Sequence, residues 1–229
     1  MLTKIAFDAD DTLWDEAHLY EHAEHKFLSQ VSNSAGRPEM RKQLRTFHAT
    51  RILEFGYGPR GYKRALAAFS EVSFDRTTCR LAKSLANTVC DEIESAPIQP
   101  LPGVVTSLER LSGSFELILI TKGEENLQRS KLERSGLGNA FGRVIVVEEK
   151  DQELYEREFG RPGRTPHAAM IGNSLKSDIA PAIAAGAYGL HVPSERQCAL
   201  EVFEGEISGQ LMMTFRTVAE ATDWLLRHR

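Results

Sequence analysis

Apolar positions fall into two regimes along this chain. In one, short continuous apolar runs end at polar or glycine-containing turns: Ile5-Ala6-Phe7, Leu117 to Ile120, Val144 to Val147, Ala168 to Ile171, and Leu190-His191-Val192. Runs this short, bounded by turn formers, predict buried strands. Helical spacing separates them at about 104–111, at about 124–135 closed by Gly136, and at 178–185 closed by Gly186. Gln210 to Met213 is expected as one more edge strand, and Thr217-Val218-Ala219-Glu220 fits a capping box opening a last helix. Strands alternating with helices predict right-handed crossovers and a parallel sheet.

The second regime occupies residues 15–95, where no convincing strand pattern occurs. Helical spacing over His18 to Val31, Met40 to Leu53 behind Pro38, Tyr62 to Phe69, and Leu81 to Ile93 predicts four helices. Gly56-Tyr57-Gly58-Pro59-Arg60-Gly61 reads as a break between two of them. Pro97, Pro100 and Pro102 hold the following linker extended. The expected fold is therefore α/β: a Rossmann-like parallel sheet flanked by helices, built from 1–14 and 96–229, with a four-helix domain inserted over 15–95.

Composition narrows the class. The chain has 229 residues, 41% hydrophobic and 26% charged, enough to bury a sizeable core. A net charge of -4 gives no general attraction to nucleic acid or anionic membrane. No stretch reaches the roughly 20 apolar residues that span a bilayer, and the N-terminus lacks a signal-peptide pattern. Cys79, Cys90 and Cys198 cannot all pair and have no metal spacing. A cytoplasmic protein with reduced thiols is the expectation.

Candidate chemistry gathers where strands end. Asp8, Asp10 and Asp11 crowd three carboxylates into four residues at the exit of the first strand. Such crowding is costly unless a cation offsets it, which predicts a metal site. Thr121, Lys150, and Asn173 with Asp178 each follow a later strand. In a parallel sheet those ends share one edge, where such sheets bind ligands. A carboxylate, a hydroxyl, a lysine and a second acidic site suit phosphoryl transfer. An Asp8 carboxylate and a phosphate 4 Å apart repel by about 4 kcal/mol at an effective dielectric of 20. Magnesium offsets that repulsion, and Lys150 neutralises more. Thr121 and the backbone N–H groups of Lys122 and Gly123 are placed to hold phosphate oxygens, with the Lys122 side chain competing with Lys150 as the neutralising cation. Asp10 is placed to give a proton to a leaving alcohol and take one from water.

At these residues the chain resembles the haloacid dehalogenase-like superfamily of hydrolases. Phe7-Asp8-Ala9-Asp10-Asp11-Thr12-Leu13 is similar to its Asp-x-Asp-x-Thr motif, and Thr121, Lys150 and Gly172-Asn173-Ser174 through Asp178 stand in the places of its later motifs. The helical insertion resembles the type-1 α-helical cap. The resemblance implies that Asp8 attacks phosphorus to give an aspartyl-phosphate and that Asp10 is the general acid/base, its main-chain carbonyl also touching Mg2+. It implies that Thr121 and Lys150 hold the phosphoryl group, and that Asn173 and Asp178 complete or support the metal site. The family usually has Gly-Asp where this chain has Gly172-Asn173, one negative charge fewer.

The expected function is a magnesium-dependent phosphatase of small phosphorylated metabolites. Alternatives are a phosphomutase, a haloacid dehalogenase, or a weakly active phosphate-dependent binding or regulatory protein. Halide release needs no proton donor, so Asp10 argues against the dehalogenase. Two further features have plainer readings. Tyr57, Arg60 and Lys63 lie in or beside the glycine-rich break and are candidate substrate contacts, or parts of an ordinary helix–helix turn. His18, His22 and His25 share a helix face, expected to be solvated rather than metal-binding.

Overall fold

The computed structural model describes residues 1–160, 166–196, 201–207 and 209–228. Cys198 lies outside the described residues; Cys79 is half-buried, Cys90 is buried, and both are free thiols. The chain divides into two compact units, residues 1–15 with 98–229, and residues 16–97.

The first unit is built on six parallel strands: β1 (Lys4–Phe7), β2 (Glu116–Lys122), β3 (Arg143–Val147), β4 (Ala168–Gly172), β5 (Tyr188–His191) and β6 (Met212–Thr214). Their order is β3-β2-β1-β4-β5-β6, with β1 between β2 and β4. The edge strand sits slightly later than the sequence pattern places it. Strand side chains alternate between faces, and here both faces are covered, which is why the sequence shows continuous apolar runs. Ile5, Phe7, Leu117, Leu119 and Ile171 pack with α6 (Val104–Ser112) and α10 (Val218–Arg227). Ala6, Ile118, Ile120 and Met170 pack on the other side with α8 (Gln152–Phe159) and α9 (Ala180–Ala184). Leu132 of α7 (Glu125–Arg134) joins the first of these cores. Thr217 caps α10 as expected, accepting from Glu220 N–H, but Glu220 reaches back to Arg216 N–H at 3.0 Å rather than to the cap residue.

The second unit holds α1 (Ala17–Val31), α2 (Arg37–Ala49), α3 (Ile52–Phe55), α4 (Gly58–Ser73) and α5 (Arg76–Ser95) around Phe27, Leu28, Leu44, Leu66, Phe69, Val89 and Ile93. That is five helices among the described residues, not four. The stretch read as the end of the second helix is a separate turn, ended by Gly56 at φ 79°. The expected break is also shorter than its glycines suggested, because α4 starts at Gly58 with Pro59 in its first turn. Gly61 serves close packing instead: a Cβ there would lie 1.9 Å from the Gly56 carbonyl oxygen. His18, His22 and His25 are exposed on α1.

Two differences bear on the site. Helix α8, which the sequence pattern did not signal, follows Lys150 directly; the Asp151 carboxylate caps it by accepting from Leu154 N–H at 2.8 Å. The helix expected from Asp178 is a π-turn over Leu175–Ile179 leading into α9. Its cap is Ser174, so Asp178 is not a capping residue and its carboxylate is directed elsewhere.

Candidate active site

The chain leaves β1 at Asp8, whose N–H extends the ladder to Ile171 O at 2.9 Å. It then turns tightly: Thr12 and Leu13 N–H donate to Ala9 O at 3.2 and 2.8 Å, and Asp11 N–H donates to Trp14 O at 2.7 Å. Asp11 takes φ 61°, a left-handed conformation that Asp tolerates better than most residues. This gives the third aspartate of the cluster a part in the turn.

Asp8 is buried and bonded on both oxygens. Lys150 Nζ donates to Oδ1 at 2.5 Å, and Thr12 Oγ1 lies 3.2 Å from Oδ2. Thr12 Oγ1 is also 3.3 Å from Asn173 Oδ1 and accepts from Asn173 N–H at 3.1 Å, so the turn after β1 is tied to the turn after β4. His191 Nε2 donates to the Asn173 carbonyl at 3.1 Å. Lys150 also donates to Asp178 Oδ1 at 2.7 Å, and Asp178 Oδ2 accepts from Ser174 N–H at 3.0 Å. The Lys150 side chain, 1% exposed, is therefore enclosed between two carboxylates rather than standing at the surface.

The electrostatics follow from this enclosure. Burial pushes the Asp8 carboxyl up to about 7, with Asp178 adding to the rise and the Lys150 ammonium opposing it. Burial works against the Lys150 ammonium, but Asp178 and Asp8 outweigh it and hold the lysine above its ordinary value. Asp10 behaves differently. Burial alone would raise it, yet Lys131, Gln128 and Trp14 hold it below the ordinary carboxylate range.

Thr121 is buried at the end of β2. Gly123 N–H donates to Val147 O at 2.9 Å, so the strand ladder takes one of the two backbone donors expected to face a phosphate. The Lys122 ammonium bonds Ser177 Oγ at 2.9 Å, pairs with Glu201, and lies 3.6 Å from Glu149. Lys150 is thus the lysine in contact with Asp8. Tyr57, Arg60 and Lys63 belong to the helical unit: Tyr57 precedes α4, and Arg60 pairs with Glu94 of α5 at 3.4 Å.

Gln128, Lys131 and Glu201 escaped the sequence reading. Gln128 and Lys131 lie three apart on α7 and are both buried, an unusual place for uncharged-amide and ammonium side chains. Glu201 accepts from Ser174 and Ser177 hydroxyls at 2.5 Å each. No sequence signal marks it.

Gly172 completes the cradle. A Cβ there would lie 2.5 Å from Asp178 Cβ and 2.3 Å from its Oδ2. Gly172→Ala is expected to push Asp178 off Lys150, at an overpacking cost of about 1–3 kcal/mol. That lowers the melting temperature by roughly 2–12 °C. Calorimetry checks this, and an unchanged melting temperature would show that the cradle is not tight.

The donor set suits a hard divalent cation: a carboxylate from Asp8, a main-chain carbonyl from Asp10 and the amide oxygen of Asn173. Thr12 ties the first and last of these together. Both Asp178 oxygens are engaged, by Lys150 and by Ser174 N–H. Among the described residues, no group of three His, Cys, Asp or Glu side chains could hold a metal ion, so this donor set depends on the main-chain carbonyl and the amide. None of the helices there is long and apolar enough to cross a membrane.

Comparison with known proteins places the chain in a family. A family model described as haloacid dehalogenase-like hydrolase matches residues 4–186. A glyceraldehyde 3-phosphate phosphatase of Methanothermobacter thermautotrophicus is 28% identical over 202 residues, covering 85% of this chain and 87% of that protein. The pyrimidine 5'-nucleotidase YjjG of Escherichia coli is 33% identical over 95 residues, and the match covers 38% of this chain and only 42% of that relative. A crystal structure of a haloacid dehalogenase-like hydrolase from Xanthomonas campestris superimposes with TM-score 0.79 at 25% identity, over 99% of this chain and 91% of that one.

Proposed function

Because the chain belongs to the haloacid dehalogenase-like hydrolases, we propose that it hydrolyses phosphate monoesters of small metabolites, with Asp8 as nucleophile and magnesium as the required cation. Asp10 is the observation that carries this reading. Its carboxylate is held at the same turn as Asp8 by three donor side chains. A dehalogenase releases halide and has no use for a proton donor there, whereas a phosphatase must protonate an alkoxide. The names of two relatives, a phosphatase and a nucleotidase, agree with this choice.

In this reading Asp8 Oδ attacks phosphorus, the P–O bond to the alcohol breaks, and Asp10 gives the alcohol its proton. Asp10 then takes a proton from the water that attacks the aspartyl-phosphate, and Asp8 is restored. Lys150 and Thr121 hold the phosphoryl oxygens. Asp8, the Asp10 carbonyl and Asn173 would hold Mg2+, which supplies the charge neutralisation that lets carboxylate and phosphate approach. The helical unit is the candidate for substrate selection, with Tyr57, Arg60 and Lys63 as candidate substrate contacts.

The test is phosphate release from a panel of phosphorylated metabolites and p-nitrophenyl phosphate, with magnesium or with chelator. Magnesium-dependent release is expected. Silence across the panel would overturn the reading in favour of a binding protein. Asn173→Asp is expected to tighten magnesium activation by about tenfold, since ligand charge sets affinity in oxygen sites. It should also lower the metal-free melting temperature, because it adds a carboxylate beside Asp8. An unchanged magnesium dependence would remove Asn173 from the ligands.

A further inference from the structure

The Asp10 carboxylate is unusually heavily bonded. Oδ1 accepts from Trp14 Nε1 at 2.7 Å and from Lys131 Nζ at 2.8 Å. Oδ2 accepts from Gln128 Nε2 at 2.8 Å and from Lys131 Nζ at 2.9 Å. An ionised carboxylate offers about four lone-pair sites, and these donors use them all. Lys131 alone spans both oxygens, and its side chain is 3% exposed. Gln128 donates again to the Lys122 carbonyl at 2.6 Å, which fastens the clamp to the end of β2. Gly123 makes room for it: a Cβ there would lie 3.1 Å from Gln128 Nε2, at a φ of 128°. Two successive side chains on the inner face of α7 thus fix a carboxylate that lies more than a hundred residues away in sequence.

We propose that Lys131, one turn from Gln128 on α7, is a positioning residue that fixes the Asp10 carboxylate for attack of water on the phosphorylated Asp8. This rests on the phosphatase reading and deepens it. Its reasoning is geometric. When water attacks, one Asp10 oxygen must face the water and take its proton. Gln128 is the neutral donor on Oδ2, so its release frees a lone pair there while Lys131 still holds both oxygens in place. Without Lys131 the carboxylate keeps only single neutral contacts to Trp14 and Gln128, and rotates between orientations.

p-Nitrophenyl phosphate separates the two half-reactions, because its leaving group departs without a proton. Lys131→Met is expected to lower kcat about 10- to 100-fold, within the range of general-base contributions, while kcat/KM changes less than about threefold. Pre-steady-state mixing should then show a burst of p-nitrophenol equal to the enzyme concentration, and mass spectrometry should show phosphorylated Asp8 accumulating. Lys131→Arg should recover most of kcat and abolish the burst. In an Asp10→Asn background, Lys131→Met should change nothing further. If Lys131→Met folds poorly, Lys131→Gln, which keeps one neutral donor in place of the ammonium, carries the same test, with a smaller burst expected. The inference is overturned if kcat and kcat/KM fall together with no burst, if neither falls, or if Lys131→Met acts equally with Asn at position 10. The phosphatase reading fails on a different result: no wild-type turnover, or turnover that survives Asp8→Asn, and the inference then falls with it.

Discussion

Asp8→Asn is expected to abolish magnesium-supported phosphate release, by about 10⁴-fold or more, on the scale seen when a covalent nucleophile is removed. The protein should remain folded. Asn matches Asp in shape and keeps an oxygen for Thr12, which bonds Asp8 Oδ2 in the native chain. Lys150 does not lose its counter-ion, because Asp178 accepts from it at 2.7 Å. Burial already disfavours the charged form of Asp8 and raises its carboxyl to about 7, so an uncharged side chain meets no new desolvation penalty there. Loss of activity with a melting temperature within a few degrees of wild type is therefore the expected pair of results. Activity retained in the variant would mean that the attacking group is not Asp8. Activity lost together with the fold would mean that the substitution reports on stability alone.

The sheet was legible because both its faces are buried. Ile5, Ala6 and Phe7 are fully enclosed from either side, so the strand appears in sequence as an unbroken apolar run that stops where the carboxylates begin. Residues that follow such runs directly, Asp8, Thr121 and Asn173, could be found by position. Lys150 was harder. Its neighbours Glu148, Glu149 and Asp151 resemble a solvated charge run, and only the approach of Asp8 and Asp178 makes an enclosed ammonium stable. Lys131 and Gln128 were hidden for a related reason. Helix α7 is mostly polar, and its buried polar face exists because Asp10 meets it from a distant part of the chain. Local periodicity carries no record of that partner. Helix α8 escaped because it is only eight residues long and begins with acidic and amide side chains, leaving Leu154, Tyr155 and Phe159 as a brief apolar stripe.

Lys150→Met should strongly destabilise the sheet unit. Methionine replaces the lysine stem with similar volume, so the packing loss is small. The electrostatic loss is not small. Asp8 and Asp178 would remain buried, with the ammonium that contacts both removed. Breaking a buried ion pair from one side costs about 3–5 kcal/mol, which corresponds to roughly 6–20 °C in melting temperature for a chain of this size. Asp178 would keep Ser174 N–H, and Asp8 would keep Thr12, so part of each carboxylate stays satisfied and the protein should still fold at low temperature. Turnover should fall by at least about a hundredfold if Lys150 is the cation proposed for the phosphoryl group. Magnesium distinguishes this account from a packing defect. A cation bound at Asp8 would offset part of the missing charge, so added magnesium should raise the melting temperature of Lys150→Met more than that of wild type. An equal shift in both proteins would show that Lys150 and the cation do not neutralise the same carboxylate.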